Sequence, residues 1–99
     1  MPLSIKEDEN QTLVIQVSGR FTFDLQREFR DAYEKHNNKR HFIIDLRETD
    51  YLDSSALGMI LILNDTTMKN NAKLKIINCR PTIKKIFELA NLDKLIQIS

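Results

Sequence analysis

Strands alternating with helices predict an α/β fold built on a mixed central β-sheet, with elements in the order β-β-α-β-α-β-α-β. Three observations carry this expectation. The chain opens on two β-rich apolar runs separated by a polar loop. Beyond them the apolar spacing changes three times to that of an amphipathic helix, and each helix is followed by a short run rich in isoleucine and leucine. Successive strand-helix-strand units favour right-handed crossovers, so the sheet should be largely parallel beyond the opening hairpin.

Leu3 to Lys6 and Thr12 to Val17 form the hairpin, with Glu7 to Gln11 as its loop. From Asp24, the residues Leu25, Phe29, Ala32 and Tyr33 recur at helical offsets, and the helix should end near Asn37. There His36-Asn37-Asn38-Lys39-Arg40 places positive charge against the partial negative charge of the helix C-terminus. Phe42, Ile43, Ile44 and Leu46 read as an interior strand covered on both faces. A second helix should span Ser54 to Lys69, followed by a strand at Leu74, Ile76 and Ile77. Pro81, preorganised for a first helical turn, opens a third helix whose Ile83, Ile86, Phe87 and Ala90 share one face. Leu95, Ile96 and Ile98 suggest a last short strand.

The 99 residues are expected to form one domain, since independent cores need on the order of 100 residues. Hydrophobic residues at 41% and charged residues at 29% suit a soluble globular chain. Fifteen basic against fourteen acidic side chains leave a formal charge of +1, too little to favour nucleic acid or an anionic lipid surface. The longest apolar stretch, Met59 to Leu63, falls far short of the roughly 20 residues that span a bilayer. The first residues lack the apolar core of a secretory signal, and with Cys79 as the only cysteine the expected location is the cytoplasm. Gly19 and Gly58 are too far apart for one phosphate-binding loop, and no Cys-x-x-Cys, His-Glu-x-x-His or Gly-x-Ser-x-Gly is present. No cofactor or metal is therefore expected. A serine hydrolase is a weak rival, because neither His36 nor His41 has a motif that would bring it to a serine as base. Both histidines, like Cys79, read as ordinary structural or surface residues, and Phe21, Phe23, Phe29 and Phe87 as core or loop anchors.

In open sheets, functional residues gather on loops leaving the carboxyl ends of strands, which directs attention to Arg47 to Ser55. Asp53 is suited to cap the second helix, and Ser54 then takes the first helical position. At about 100° per residue, Ala56, Leu57, Met59, Ile60, Leu61, Leu63 and Met68 should face the sheet. Ile62 falls on the other side with Ser55, Gly58, Asp65, Thr66 and Lys69, and Ser54 borders that stripe beside Leu61. An apolar side chain beside a bare glycine on a polar helix face suggests a docking surface.

Asp53-Ser54-Ser55-Ala56-Leu57-Gly58, preceded by Phe42-Ile43-Ile44-Asp45-Leu46 and the turn Thr49-Asp50-Tyr51-Leu52, closely resembles the phosphorylation loop of the anti-sigma factor antagonists, the bacterial STAS domains. The turn Gly19-Arg20-Phe21 and the helix end Ala90-Asn91-Leu92 extend the resemblance over nearly the whole chain, while Ala56 stands where many members carry glycine. The resemblance implies the STAS fold and a partner-switching protein that is not an enzyme. Unphosphorylated, such a protein binds an anti-sigma factor that is also a serine kinase. Phosphorylation, which maps to Ser54, ends the binding, and a metal-dependent serine phosphatase restores it. Asp50, Asp53, Ser54, Ser55, Gly58, Ile62, Asp65 and Lys69 are the expected partner-binding residues. Small STAS domains also serve as accessory subunits of membrane lipid ABC transporters, in which case Ser54 is structural.

Overall fold

The computed structural model describes residues 2–99. β1 (Leu3–Glu7) and β2 (Thr12–Val17) form the antiparallel hairpin, with Leu3 opposite Val17 and Glu7 opposite Leu13. Its loop closes because the Asp8 carboxylate accepts the backbone N–H groups of Asn10 and Thr12, at 2.8 and 3.1 Å. α1 (Gln26–Glu34), β4 (His41–Asp45), α2 (Ser54–Lys69), β6 (Lys73–Ile77), α3 (Pro81–Leu89) and β7 (Gln97–Ile98) complete the alternation. The main sheet runs β1-β2-β4-β6-β7, parallel except at its first pair, so the mixed α/β sheet expected from the sequence is the one found.

Each crossover advances the sheet by one strand in the same direction. Right-handed crossovers that always advance one way lay all the helices on one face. The burial agrees: Leu13, Ile15, Phe42, Ile44, Leu74 and Ile76 are buried, whereas Val14 and Ile43 are half-buried and Lys73 and Lys75 exposed. β4 is therefore central but covered on one face only, which corrects the expectation of cover on both. Phe21, Phe29 and Phe87 fill the core between helices and sheet, the first two with ring centroids 5.4 Å apart.

Other expectations fail where long-range contacts decide. Gly19-Arg20-Phe21 and Thr49 to Leu52, both read as turns, are strands β3 (Gly19–Phe21) and β5 (Thr49–Leu52), which pair in parallel as a separate two-stranded sheet. Each is too short to show a period, and its partner lies some 30 residues away in the chain. The first helix starts as a 3-10 turn over Phe23–Leu25 and ends at Glu34, three residues before Asn37. Beyond it His36 Nδ1 and Lys39 Nζ both reach Glu7 Oε1, at 3.0 and 3.1 Å, so this run clasps the end of β1 instead of extending the helix. The Lys39 hydrogen bond, with His36 adding to it, holds the Glu7 carboxyl below its ordinary range. His36 is thus half-buried and paired, whereas His41 is exposed.

Ala90 lies past the end of α3 and is exposed. Leu95 is 64% exposed, and the last strand shrinks to two residues. Phe23, read as an anchor, is 62% exposed. On α2, Met68 and Leu61 face solvent and not the sheet, while Thr67 is buried and donates its hydroxyl to the Asn64 carbonyl at 2.8 Å. No helix among the described residues is long and apolar enough to cross a membrane.

Candidate partner-docking site

The start of α2 is held by a chain of hydrogen bonds that no local pattern reveals. Thr49, fully buried, donates its hydroxyl to the Val17 carbonyl at 2.6 Å, and the Gly19 N–H donates to the Glu48 carbonyl at 2.9 Å. Leu52 is buried, and the N–H of Asp53 reaches the Phe21 carbonyl at 3.2 Å. Asp53 is the expected N-cap: its Oδ1 accepts the Ala56 N–H at 3.1 Å. Its Oδ2 accepts the Phe23 N–H at 3.2 Å, which ties the loop after β3 to the same point.

Ser54 therefore takes the first helical position on an immobilised frame, exposed, with no hydrogen-bond partner for its hydroxyl among the described residues. Ser55 is half-buried. The buried residues Ala56, Met59, Ile60, Leu63 and Thr67 define the inner side of α2. Opposite them lie Ser54, Gly58, Leu61, Ile62, Asp65 and Lys69, with Ile62 55% exposed. Most of the expected stripe thus lies on one exposed side and Leu61 joins it, whereas Ser55 and Thr66, expected in it, are half-buried at its flank. A Cβ built on Gly58 meets nothing within 4 Å, so packing inside the protein does not call for glycine there. A groove of about 120 Å³ between α1 and α2, lined by Phe29, Tyr33 and Met59 among others, borders Ile62.

Asp50 is exposed and Asp53 half-buried at the same end of the helix. Two aromatic side chains that sequence reasoning had not placed there flank it. Tyr51 is 45% exposed with the Arg20 guanidinium 4.3 Å from its ring centroid, and Phe23 is fastened by Asp53. Tyr51 was legible in outline, since it lies inside the quoted loop. Phe23 was not, because its position depends on a hydrogen bond across 30 residues.

Among the described residues no group of three or more histidine, cysteine, aspartate or glutamate side chains is placed to hold a metal ion. Cys79 is half-buried, and burial pushes its thiol up to about 11, the opposite of an activated nucleophile. The geometry suits recognition through a preformed helix face: a fixed hydroxyl, exposed apolar side chains, a bare backbone patch and acidic groups at one end.

Comparison with known proteins identifies the fold and the family. Anti-sigma factor antagonist SpoIIAA in its unphosphorylated form superposes with a TM-score of 0.85 over 98% of this chain and 87% of that one, at 17% identity, and so shares the fold. Anti-sigma F factor antagonist of Paenibacillus polymyxa is 22% identical over 99% of this chain and 87% of its own length. A STAS-domain containing protein of Pseudomonas aeruginosa strain UCBPP-PA14 is 45% identical over 92% of this chain and 91% of its own length. The family model described as "Mlab, STAS domain" matches residues 6–97, and the chain accordingly belongs to the STAS-domain family and has the STAS fold.

Proposed function

We propose that the chain is a single-domain anti-sigma factor antagonist of a bacterial partner-switching pathway, acting in the cytoplasm and not as an enzyme. Unphosphorylated, it binds an anti-sigma factor with serine kinase activity through the exposed face of α2. Asp50, Asp53, Ser54, Ser55, Gly58, Ile62, Asp65 and Lys69 form that contact. The kinase transfers the γ-phosphoryl group of ATP to the Ser54 oxygen, releasing ADP, and a metal-dependent serine phosphatase hydrolyses the ester again. The observation that carries this reading is the placement of Ser54: exposed, without a hydrogen-bond partner among the described residues, and held by the Asp53 cap at one end of a surface that includes Leu61, Ile62 and Gly58.

A phosphate brings roughly −1.5 to −2 charges and needs hydration. The helix N-terminus tolerates such an anion. A partner packed against it does not, and Asp50 and Asp53 add to the repulsion of any acidic group opposite. Ser55 is the competitor, one position on but half-buried. Incubation with the kinase and ATP followed by mass spectrometry should place the phosphate on Ser54. Ser54→Ala should block it and keep binding, Ser54→Asp should weaken binding without unfolding, and Ser55→Ala should still accept phosphate. Phosphate on Ser55 alone, or on neither serine, refutes the assignment.

One observation sustains a second reading, an accessory subunit of a membrane lipid ABC transporter. Relatives named as antagonists stand at 22–24% identity, whereas the relative at 45% is named only for its domain. In that reading the same helix face meets an ATPase subunit and Ser54 is structural. Purification of the native protein with its partners separates the two.

A further inference from the structure

The groove between α1 and α2 is lined by a tyrosine whose polar group the fold leaves without a partner. Tyr33 is only 4% exposed there, its ring set edge-on against Phe29 at a centroid distance of 5.8 Å. Buried tyrosines usually place their hydroxyl on a partner, yet this one makes no hydrogen bond among the described residues. Burial first, then Glu34, push the hydroxyl above its ordinary 10 against the pull of Arg30, so at neutral pH it is a donor. A neutral acceptor suits it better than a carboxylate, which Glu34 repels. The remaining walls are apolar inside and polar at the rim: Phe29 and Met59 are buried, Gln26 and Arg30 exposed, and Ile62 forms a lip. On α2, Met59 and Ile62 lie in one helical stripe with Ser55 and Thr66, so the groove opens along the flank of the face that carries Ser54.

We infer that this groove seats one aliphatic side chain, leucine, isoleucine or methionine, of the protein that docks on α2, with a main-chain carbonyl beside it accepting from the Tyr33 hydroxyl. The inference rests on the α2 reading and adds the partner's anchor to it. Size selects the occupant: an apolar cavity of about 150 Å³ binds benzene, so the groove's 120 Å³ suits an aliphatic group. Small-molecule sites are about 300–1,000 Å³, well above this volume. An apolar pocket ringed by polar side chains that keep water out is the usual setting of a binding hot spot. A second copy of this chain has exposed leucines to offer, Leu89 and Leu95, but neither lines its own groove, so the contact would be head-to-tail and would show as self-association.

The test labels the methionine methyl groups of the full chain, because Met59 lines the groove while Met68, 66% exposed elsewhere on α2, serves as the internal control. The probe is N-acetyl-leucine methylamide, which carries the aliphatic branch and the carbonyls, beside the matched alanine compound. The leucine probe should shift the Met59 methyl signal and leave Met68 in place, and the alanine probe should shift neither. Tyr33→Phe should weaken the leucine probe by about two- to tenfold, the worth of one hydrogen bond, with its melting midpoint unchanged because no bond within the protein is lost. Gln26→Trp, an exposed rim position, should block the groove and weaken the anti-sigma factor about tenfold or more, while Ser54→Asp should leave probe binding as it is. No Met59 shift at tens of millimolar leucine probe, equal shifts with both probes, Tyr33→Phe binding like the parent, or Met59 shifts that follow protein concentration without probe each overturn the inference. Phosphorylation of Ser54 reads the α2 assignment separately: a Gln26→Trp variant that is bound and phosphorylated like the parent sinks the groove and leaves that assignment standing.

Discussion

Gly58→Ala should make this protein more stable and worse at its task. Gly58 sits inside the 16-residue helix α2, where glycine costs roughly 0.5–1 kcal/mol relative to alanine through lost backbone entropy. A methyl group there meets nothing within 4 Å, so no clash offsets the gain. The variant should therefore be stabilised by about 0.5–1 kcal/mol, raising the melting temperature by about 2–8 °C for a domain of this size. The same methyl projects from the stripe that holds Ser54, Leu61 and Ile62. If a partner backbone packs on that bare patch, overpacking of about 1–3 kcal/mol weakens binding by at least about fivefold. Urea unfolding gives the first quantity, and calorimetric titration with the anti-sigma factor gives the second. A variant less stable than the parent would show that the position is crowded. A stabilised variant that binds as before would show that no partner approaches Gly58, and the proposed face would lose its central element.

Ile62→Glu should weaken partner binding and keep the unfolding free energy within about 0.5 kcal/mol, as for surface changes, whereas Ile60→Glu, in a fully buried position, should unfold the domain; loss of cooperative melting in the first variant would refute the assigned helix face. The Asp45 carboxyl is pushed up by burial, but the Arg47 N–H and the Asn78 and Gln16 amides together outweigh this and hold it below its ordinary 3.8. Its folded value being depressed, its contribution is complete above 3.8 and fades as the pH falls below it, so the advantage of the parent over Asp45→Asn should shrink in acid urea titrations and persist at neutral pH. Cys79, with its thiol near 11, should react with iodoacetamide at pH 8 far more slowly than a free cysteine, and rapid alkylation of the folded protein would contradict its half-buried placement.

Elements with a period and a cap were decided by the residues themselves. α2 runs over Ser54–Lys69 because Asp53 caps it and because Ala56, Met59, Ile60 and Leu63 repeat on one face, all of it local information. The parallel order of the main sheet follows in the same way from alternation and handedness. What tertiary structure decided is whatever depends on contacts distant in sequence. β3 and β5 exist only by pairing with each other, and the open face of β4 follows from the direction in which all three crossovers wind. The early end of α1 coincides with a glutamate on another strand attracting His36 and Lys39. Leu61, Met68 and Phe23 face solvent because no other part of the fold covers them, which a helical wheel or a hydropathy pattern does not know. The candidate site divides along the same line: the Asp53-Ser54 cap is a one-turn interaction between near neighbours, while the frame that immobilises it, Thr49 on Val17 and Asp53 on Phe23, spans about 30 residues of chain and exists only once the protein has folded.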